Sequence, residues 1–347
     1  GGKGTQFRQA RIMAALSSSS AVGGKIAIIC PPTAPALDYK PLNICEFLIG
    51  NELAAFEGDY EDITAIMFVA TGGDASLLTP LFDKCPNVRW VHSLFAGVDS
   101  IAPFITHRLQ HRPEVAMSNG RGAFSASLAE YVMASALHFN KKFSTCAKNR
   151  AERKWDKFVM PVLEGKTIGF LGFGSIGQKT ATLASAFGMK VLALRRDPGQ
   201  SPPSGFEDVE MYSPDQKLEL FAAADFVVSV LPGTPETTDF CGAAEFGAMK
   251  PSGVFISVGR GTVVDEEALA DCLEEGRIAG AALDVFKTEP LPESSRLWSC
   301  ENLIMTAHNA DYTDDYFSLG WRIWRQNFEA LQAGSPVCTP VDRLARD

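Results

Sequence analysis

The sequence predicts an α/β protein built from two doubly wound, parallel-sheet domains, and three observations lead to that prediction. Short apolar runs rich in β-branched residues alternate with helical stretches from Lys25 onwards. One of these runs, at 167–171, leads into a Gly-x-Gly-x-x-Gly turn followed by helical sequence. The chain has 347 residues, enough for two domains that each have their own core.

Composition and charge narrow the functional classes. With 46 % apolar and 21 % charged residues, the chain has the composition of a globular protein. Its net charge of -9 argues against binding to nucleic acid or to an acidic membrane surface. No apolar run approaches the roughly 18 residues of a membrane-spanning helix. We therefore expect a cytoplasmic protein that binds neither nucleic acid nor membrane.

The cysteines are scattered along the chain and form no Cys-x-x-Cys motif or Cys/His cluster. This spacing predicts reduced, mostly buried thiols in an intracellular protein, with no disulfide framework and no metal site. The eight positions are Cys30, Cys45, Cys85, Cys146, Cys241, Cys272, Cys300 and Cys338.

Residues 1–24 differ from the rest of the chain. They are rich in arginine and serine, and no acidic residue occurs before Asp38. This composition is typical of an organellar transit peptide, and it also suits a disordered tail or a sequence added for expression. We favour a disordered or added segment, keep organellar import as the alternative, and begin the fold at Lys25.

The first predicted domain contains three short, nearly continuous apolar runs, at 25–30, 63–70 and 88–92. Such runs are typical of strands buried on both faces of a parallel sheet. Between them, helices are predicted at 41–56 and 76–84.

A longer helix is predicted over 125–142 because apolar residues recur along one stripe, and it leads out of the first domain. The polar segment 143–165 is predicted to be a surface connection. The helix predicted at the end of the chain carries Trp321 and Trp324 at helical spacing, and we expect it to return and cover the first domain. The predicted substrate domain is thus 25–124 with 315–347, and the predicted nucleotide domain is 125–314.

A second alternating series follows residue 165, and this alternation predicts another doubly wound sheet. The predicted strands are 167–171, 190–194, 225–230, 253–258, 278–285 and 303–307. The predicted helices are 176–187, 214–223, 265–275 and 316–333. Ser213 and Pro214 form an N-cap and first-turn pair, and Gly276 is expected to end a helix.

The glycines of the turn each have a mechanical role. Gly172 permits a tight turn, Gly174 lets a pyrophosphate approach the backbone, and Gly177 lets the helix pack against the strand. The helix that begins there offers unpaired N–H groups to a phosphate. The turn therefore predicts a dinucleotide site.

The end of the next predicted strand bears on which dinucleotide is bound. An acidic residue is expected there to hold the adenosine ribose, but Arg195 and Arg196 stand at this position, followed by Asp197. Two guanidinium groups can bind a 2′-phosphate. The sequence therefore predicts NADP, with NAD use left open by Asp197.

Three more polar side chains each follow a predicted strand end, namely Arg260, Glu289 and His308. Because the carboxyl ends of parallel strands lie on one edge of a sheet, we expect these side chains on the same edge. Their predicted roles are an anion clamp, an orienting group and a proton carrier.

With these residues in place, the chain from about 25 to 341 resembles the D-isomer-specific 2-hydroxyacid dehydrogenases. That family includes glyoxylate/hydroxypyruvate reductases, phosphoglycerate dehydrogenases and formate dehydrogenase. The resemblance implies a Rossmann nucleotide domain inserted in a flavodoxin-like substrate domain. The matching stretches are 171–177, 231–237, 249–253, 259–261 with 264–265, 283–286 with 289–290, and His308.

By this resemblance, His308 is the general acid that protonates the C2 oxygen as the nicotinamide hydride reaches C2. Glu289 orients the ring and keeps the imidazolium available, and Arg260 binds the substrate carboxylate. The loop with Ala96, Gly97 and Val98 resembles the family loop whose N–H groups hold that carboxylate. The implied cofactor-binding residues are Gly172, Gly174, Ser175, Ile176, Gly177, Arg195, Arg196, Leu231, Pro232, Thr237, Val258, Gly259 and Asp284.

The chain departs from the family pattern around His308. Ala307 replaces the usual proline, and residues 309–315 are more acidic than usual. Formate dehydrogenase is disfavoured because it pairs glutamine with its histidine. Phosphoglycerate is disfavoured because the region from Phe95 to Asp99 offers no basic cluster for a phosphate.

The leading functional hypothesis is an NADPH-dependent reductase of a small 2-oxo acid such as glyoxylate or hydroxypyruvate. One alternative is a dinucleotide-sensing regulatory protein, like the corepressors that share this fold. Others are an NAD-dependent 2-hydroxyacid dehydrogenase of another substrate, or a family member in which the acidic residues 309–315 near the substrate entrance admit a bulkier or cationic 2-oxo acid. By resemblance we also expect a homodimer, formed through the long helices flanking the nucleotide domain.

Overall fold

The computed structural model describes residue 22 and residues 24–197 and 201–341. The predicted N-terminal extension, residues 1–24, lies outside the described residues apart from positions 22 and 24. The chain divides into two compact units. The first comprises the described residues up to Ala123 together with those from Asp314 onwards, and the second comprises Phe124–Thr313.

Strands and helices alternate along the described ranges. The strands are β1 Lys25–Ile29, β2 Phe47–Gly50, β3 Ile63–Phe68, β4 Trp90–Ser93, β5 Ala116–Asn119, β6 Thr167–Leu171, β7 Lys190–Leu194, β8 Glu210–Tyr212, β9 Phe226–Ser229, β10 Val254–Ser257, β11 Gly280–Leu283 and β12 Leu303–Met305. The α-helices are α1 Leu78–Lys84, α2 Ala102–His107, α3 Ser125–Asn140, α4 Phe143–Ala151, α5 Ser175–Ala186, α6 Lys217–Ala223, α7 Ala243–Ala248, α8 Glu266–Glu274 and α9 Tyr316–Gln332.

The first unit is built on a five-stranded sheet in the order β2-β1-β3-β4-β5, and every neighbouring pair is parallel. This is the doubly wound order found in flavodoxin. The strands read as continuous apolar runs because both faces are covered, and Ile26, Ile28 and Ile29 are fully buried.

The second unit is built on a seven-stranded parallel sheet in the order β12-β11-β10-β9-β6-β7-β8. The chain starts at β6, builds outward to β8, then returns to pair β9 with β6 and continues to β12. The strand order therefore reverses between β6 and β9, which is the Rossmann arrangement. The predicted fold class is confirmed.

Helix α9 packs on the sheet of the first unit through its tryptophans. The indole N–H of Trp321 donates to the carbonyl of Ala36 at 2.6 Å. Trp324 stacks on Phe328, with ring centroids 5.0 Å apart, and lies 5.6 Å from the ring of Trp90 on β4. The expectation that the last helix covers the first domain is confirmed within this unit.

Two predictions about local structure are wrong. The helix predicted over 41–56 is replaced by β2 and a short 3₁₀ turn at Leu53–Phe56. The run Phe47–Gly50 pairs in parallel with β1. The pattern of a short apolar run fits a buried helix as well as a strand, and here the pairing with β1 makes it a strand. The segment 143–165 is not purely a connection, because α4 occupies its first half.

Membrane-spanning helices, metal-binding clusters and disulfides are all absent from the described residues. No helix there is both long and apolar enough to span a membrane. Within the same ranges, no group of three or more His, Cys, Asp or Glu side chains could hold a metal ion. All cysteines are free, and five of the eight are buried: Cys30, Cys85, Cys241, Cys272 and Cys300.

Candidate active site

The glycine turn lies between β6 and α5, at the point where the strand order reverses. Gly172 has a φ of 92°, which side-chain-bearing residues rarely adopt. A Cβ added at Gly177 would lie 3.0 Å from the carbonyl oxygen of Gly172, so a side chain there would push the helix away from the turn. A Cβ added at Gly174 would meet no described atom within 4 Å.

The open space beside Gly174 fits a dinucleotide phosphate. Helix α5 begins at Ser175, directly after Gly174, and continues through Ile176. The first N–H groups of a helix have no partner within the helix, so they point towards this space and can donate to an anion. The turn therefore has both the room and the donors that a pyrophosphate requires.

Arg195 and Arg196 follow β7, which pairs directly with the turn-bearing strand β6. Arg195 is half-buried, and its guanidinium donates to the carbonyl of Ser201 at 3.3 Å, whereas Arg196 is exposed. The backbone N–H of Arg195 also donates to the carbonyl of Tyr212 on β8, at 3.0 Å. Both arginines thus stand at the carboxyl edge of the sheet, next to the glycine turn.

The other predicted cofactor-binding residues follow β9 and β10. The hydroxyl of Thr237 donates to the carbonyl of Pro232 at 2.6 Å and closes the loop that starts at Leu231. Val258 is buried directly after β10. A Cβ added at Gly259 would lie 2.4 Å from the carbonyl oxygen of Leu231, so the two loops approach each other backbone to backbone.

Arg260 follows β10 between two glycines. Its guanidinium donates to the carbonyl of Gly259 at 2.9 Å, and the side chain is half-buried. A Cβ added at Gly261 would lie 1.9 Å from the carbonyl carbon of Phe286, so only glycine allows this segment to pass the loop after β11. The glycines therefore fix where Arg260 is presented.

Glu289 and His308 are in direct contact. His308 Nδ1 lies 2.7 Å from Glu289 Oε2, and the second carboxylate oxygen accepts the N–H of Phe286 at 3.0 Å. The exposed fractions of the two side chains are 42 % for His308 and 36 % for Glu289, so the pair is open to a ligand. This contact fixes the orientation of the His308 ring relative to Glu289, and the role of the pair towards a substrate stays a prediction.

Asp284 holds the loop that carries His308. Its side chain is 1 % exposed, and its Oδ1 lies 2.6 Å from the hydroxyl of Thr306, 3.0 Å from the N–H of Asn309 and 3.1 Å from that of Ala310. The carbonyl of Asp284 accepts the N–H of His308 at 2.8 Å. The role of Asp284 in cofactor binding, implied by the family resemblance, stays a prediction.

Two residues of this network were missed by sequence reasoning. Thr306 contacts Asp284, and the phenol oxygen of Tyr131, on α3, lies 2.9 Å from the Thr306 hydroxyl. Because a carboxylate only accepts, the Thr306 proton points to Asp284 and Tyr131 donates to Thr306. Nothing in the sequence links a tyrosine on α3 with a threonine about 175 positions away.

The predicted carboxylate-binding loop belongs to the first unit. Ala96, Gly97 and Val98 follow β4 and lead into a 3₁₀ turn that begins at Asp99. The loop is anchored by Asn119, whose side-chain amide donates to the carbonyl of Ala96 at 2.6 Å. Its role towards a substrate stays a prediction.

The second unit brings three of the predicted residues to one edge. Arg260, Glu289 and His308 follow β10, β11 and β12, which are neighbouring parallel strands. Gly172 follows β6 on the same edge. An anionic carbonyl compound bound here would therefore meet a cation, a proton donor and a dinucleotide-binding turn within one unit.

Comparison with known proteins identifies relatives. Residues 133–310 match the model of the D-isomer specific 2-hydroxyacid dehydrogenase, NAD binding domain. The chain is 35 % identical over 237 residues to a glyoxylate reductase of Thermococcus gammatolerans, covering 66 % of this chain and 68 % of the relative. It is 36 % identical over 315 residues to a D-3-phosphoglycerate dehydrogenase of Synechocystis, covering 84 % of this chain but only 55 % of that protein.

Solved structures share the architecture. One is the NADPH-dependent glyoxylate/hydroxypyruvate reductase of Sinorhizobium meliloti in complex with NADP and sulfate, with a TM-score of 0.76 and 26 % identity. The similarity covers 93 % of this chain and 99 % of that one. The chain thus spans nearly all of this reductase, but about half the length of the Synechocystis phosphoglycerate dehydrogenase.

Proposed function

The chain belongs to the D-isomer-specific 2-hydroxyacid dehydrogenase family, and from this premise we propose that it reduces a small 2-oxo acid of the glyoxylate or hydroxypyruvate type to the D-2-hydroxy acid, using NADPH. Membership makes it an NAD(P)-dependent oxidoreductase; the substrate and the choice of NADPH are the proposal. The observation that carries it is the 2.7 Å contact between His308 and Glu289, in the same unit as the glycine turn.

The contact between His308 and Glu289 supports one choice for the proton that is transferred. The imidazolium donates Nδ1–H to Glu289, so its remaining proton is on Nε2. The negative charge of Glu289 stabilises the imidazolium, and the N–H of Phe286 keeps the carboxylate in position. His308 therefore delivers the Nε2 proton to the C2 oxygen of the substrate.

Arg260 acts on the same substrate from the neighbouring strand. Its contact with the carbonyl of Gly259 limits the rotation of the guanidinium, which can then pair with the substrate carboxylate. A fixed positive charge at this place also polarises the oxo group as negative charge develops on its oxygen. Arg260 thus contributes binding and electrostatic stabilisation, while His308 contributes the proton.

The cofactor is assigned to the carboxyl edge of the second unit. The turn from Gly172 to Gly177 holds the pyrophosphate, and Arg195 and Arg196 hold the 2′-phosphate of NADPH. A nicotinamide bound there supplies the hydride. The Sinorhizobium meliloti structure, described as NADPH-dependent and in complex with NADP, supports this choice.

Phosphoglycerate oxidation is the second candidate, because the Synechocystis relative carries that name. We place it second because the loop from Phe95 to Asp99 contains no basic residue to pair with a phosphate. The Thermococcus and Sinorhizobium relatives, in contrast, are both named for glyoxylate reduction.

The test is to measure oxidation of NADPH and NADH in the presence of glyoxylate, hydroxypyruvate, pyruvate and 3-phosphohydroxypyruvate. We expect turnover of the first two with NADPH, and weaker use of NADH. In the Arg195→Ala/Arg196→Ala variant, kcat/KM for NADPH should fall by at least about 10-fold, because the loss of even one charged hydrogen bond costs about 1.5–3 kcal/mol. NADH use should change little.

Each part of the proposal can fail separately in this experiment. Tight NADPH binding without turnover of any 2-oxo acid would contradict the enzymatic function and favour a dinucleotide-sensing protein. A preference for NADH that is the same in the double variant would contradict the assignment of NADPH. Turnover confined to 3-phosphohydroxypyruvate would establish the second candidate.

A further inference from the structure

Helix α3 contacts the loop that carries His308 at two points, through side chains that the mechanism above does not use. Ser127 and Tyr131 are four positions apart, so they lie on the same face of the helix. The hydroxyl of Ser127 donates to the carbonyl of Ala310. The phenol oxygen of Tyr131 lies 2.9 Å from the hydroxyl oxygen of Thr306. His308 stands between the two contacted residues of the loop.

The contact made by Tyr131 continues through Thr306 to a buried carboxylate. The Thr306 hydroxyl donates to Asp284 Oδ1 at 2.6 Å, so its oxygen is left to accept the phenol proton of Tyr131. The side chain of Asp284 is 1 % exposed. Tyr131, Thr306 and Asp284 therefore form one chain of hydrogen bonds that runs from α3 to the end of β11.

Tyr131 keeps the proton that this chain requires. Burial raises the pKa of the Tyr131 phenol above its usual value of 10, and the negative charge of Asp284 adds to the rise. Hydrogen bonds with the hydroxyls of Thr306 and Ser135 act against the rise without cancelling it. The phenol is therefore protonated at neutral pH and can donate.

Asp284 holds the backbone on both sides of the His308 side chain. Its Oδ1 accepts the N–H groups of Asn309 and Ala310 at 3.0 and 3.1 Å, and its carbonyl accepts the N–H of His308 at 2.8 Å. His308 has a φ of 51°, which a residue with a side chain keeps only when its surroundings impose it. Successive N–H groups that converge on one carboxylate are such a restraint. The position of the Asp284 carboxylate thus sets the direction in which the imidazole leaves the backbone.

We propose that Tyr131 is a positioning residue for His308, which acts through Thr306 and Asp284. By fixing the Thr306 hydroxyl against the carboxylate, Tyr131 holds the loop in the conformation that aims the imidazole at the substrate. The inference rests on the proposed reductase function and adds to it a residue from a separate element. Because a displacement of about 1 Å can slow a reaction about 100-fold, a contact one residue removed from the carboxylate can affect the rate.

The first experiment compares the wild-type protein with Tyr131→Phe, which removes only the phenol oxygen. With NADPH and hydroxypyruvate, we expect kcat to fall by about tenfold, because the Thr306 hydroxyl loses its donor and the loop its restraint. The KM for hydroxypyruvate and the dissociation constant of NADPH should stay within about threefold, since these ligands are assigned to other side chains. Rates are expressed per NADPH-binding site, so that any unfolded protein is not counted.

Two substitutions of Thr306 test whether the effect passes through its hydroxyl group. Thr306→Val removes the hydroxyl and should lower kcat at least about tenfold, whereas Thr306→Ser keeps it and should retain kcat within about threefold. Adding Tyr131→Phe to Thr306→Val should lower kcat no further, because the chain of hydrogen bonds is already broken.

Hydrogen exchange gives a measurement that does not depend on turnover. In Tyr131→Phe, the amides of residues 308–310 should exchange at least about tenfold faster than in the wild-type protein, because the loop opens more easily. Tyr60→Phe is the matched control. It removes the hydroxyl of a half-buried tyrosine in the first unit that donates to the carbonyl of Leu53, and it should change neither kcat nor this exchange.

The results distinguish the inference from the function on which it rests. If the wild-type protein reduces no 2-oxo acid, the proposed function fails, and the exchange of residues 308–310 still shows whether Tyr131 holds the loop. If the protein is active, an unchanged kcat in Tyr131→Phe overturns the inference, even if the melting temperature falls, because the role of Tyr131 is then structural only. Unchanged exchange in Tyr131→Phe, or losses that multiply in the double variant, also overturn it.

Discussion

At the scale of single residues, His308 has an unusual backbone conformation that its neighbours hold in place. Its φ is 51°, in the left-handed region, where a residue with a side chain is strained by about 1 kcal/mol or more. The N–H of His308 is bound to the carbonyl of Asp284 and its ring to Glu289, so both ends of the residue are fixed. The strain thus coincides with the atoms that the proposed reaction uses.

His92, on β4, is a second histidine with a defined chemical state. It is fully buried, and its Nδ1 lies 2.7 Å from the hydroxyl of Ser118, which also accepts the indole N–H of Trp90 at 2.8 Å. Because burial disfavours the charged form of the ring, His92 is neutral and shares one hydrogen bond with the Ser118 hydroxyl. Burial lowers the pKa of His92 to about 3.

This histidine makes the first unit sensitive to acid. In the unfolded chain the pKa of His92 is about 6.5, so below that pH the unfolded state binds a proton that the folded state binds only near pH 3. The free energy of unfolding therefore falls as the pH falls. Between about pH 7 and about pH 5, we expect His92 to account for a loss of about 2 kcal/mol.

Urea unfolding followed by tryptophan fluorescence at the two pH values measures this loss. In the His92→Gln variant the loss should shrink by about 2 kcal/mol, because glutamine binds no proton. His107→Gln, which changes an exposed histidine on α2, is the control and should leave the loss as in the wild-type protein. Equal losses in wild type and His92→Gln would contradict the account.

At the scale of elements, a substitution in the glycine turn between β6 and α5 is expected to change cofactor binding without changing the stability of the fold. Gly174 has open space at its Cβ position and a backbone conformation that other residues adopt. In the Gly174→Ala variant the melting temperature should therefore stay unchanged. The dissociation constant of NADPH should rise at least about tenfold, or about 1.4 kcal/mol, because the methyl group stands where the phosphate approaches.

Gly247→Ala is the matched control for this experiment. A Cβ added at Gly247, on α7, also meets no described atom within 4 Å, and the position lies outside the turn. It should bind NADPH like the wild-type protein. If Gly174→Ala binds NADPH normally while remaining folded, the turn does not hold the pyrophosphate. Fluorescence titration and thermal melting give the two readouts.

The elements that the sequence predicted correctly are those with an unambiguous local signal. Strand β6 is a buried apolar run followed by glycines, and α6 follows a capping Ser213 and Pro214. Strand β5 was missed because it ends in two polar residues. Ser118 and Asn119 are buried there only because Trp90 donates to the first and Ala96 accepts from the second.

The residues of the candidate site also fall into those that the sequence could predict and those that it could not. Glu289 and His308 could be predicted because each follows a strand of a parallel sheet, and parallel strands end on one edge. Thr306 and Tyr131 could not, since their contact depends on how α3 packs against the loop after β12. Which residues a side chain contacts depends on tertiary packing, even where the position of that side chain follows from the pattern of strands.

At the scale of the whole molecule, the segment after α4 has several exposed apolar side chains. Trp155 is 101 % exposed, Val159 77 % and Val162 60 %. Several exposed apolar side chains within one short segment are typical of an interaction surface. Because a homodimer is expected through the helices flanking the nucleotide domain, we predict that this segment contacts a second copy of the chain.

Sedimentation equilibrium tests this prediction. The wild-type protein should have twice the mass of one chain, and replacing Trp155 and Val159 by serine should shift the equilibrium towards the monomer, because less apolar area is buried on association. Trp298→Ser, which changes an exposed tryptophan elsewhere in the second unit, should leave the dimer intact. A monomeric wild-type protein at micromolar concentration would rule out the dimer.

The central claim is that His308, oriented by Glu289, protonates a 2-oxo acid that the molecule reduces with NADPH. The most direct measurement is kcat for glyoxylate and hydroxypyruvate in the wild-type protein and in His308→Gln, together with the dissociation constant of NADPH. The account predicts that kcat falls by about 10²- to 10⁴-fold, the usual contribution of a general acid, while NADPH binding stays unchanged. Full activity in His308→Gln would contradict it.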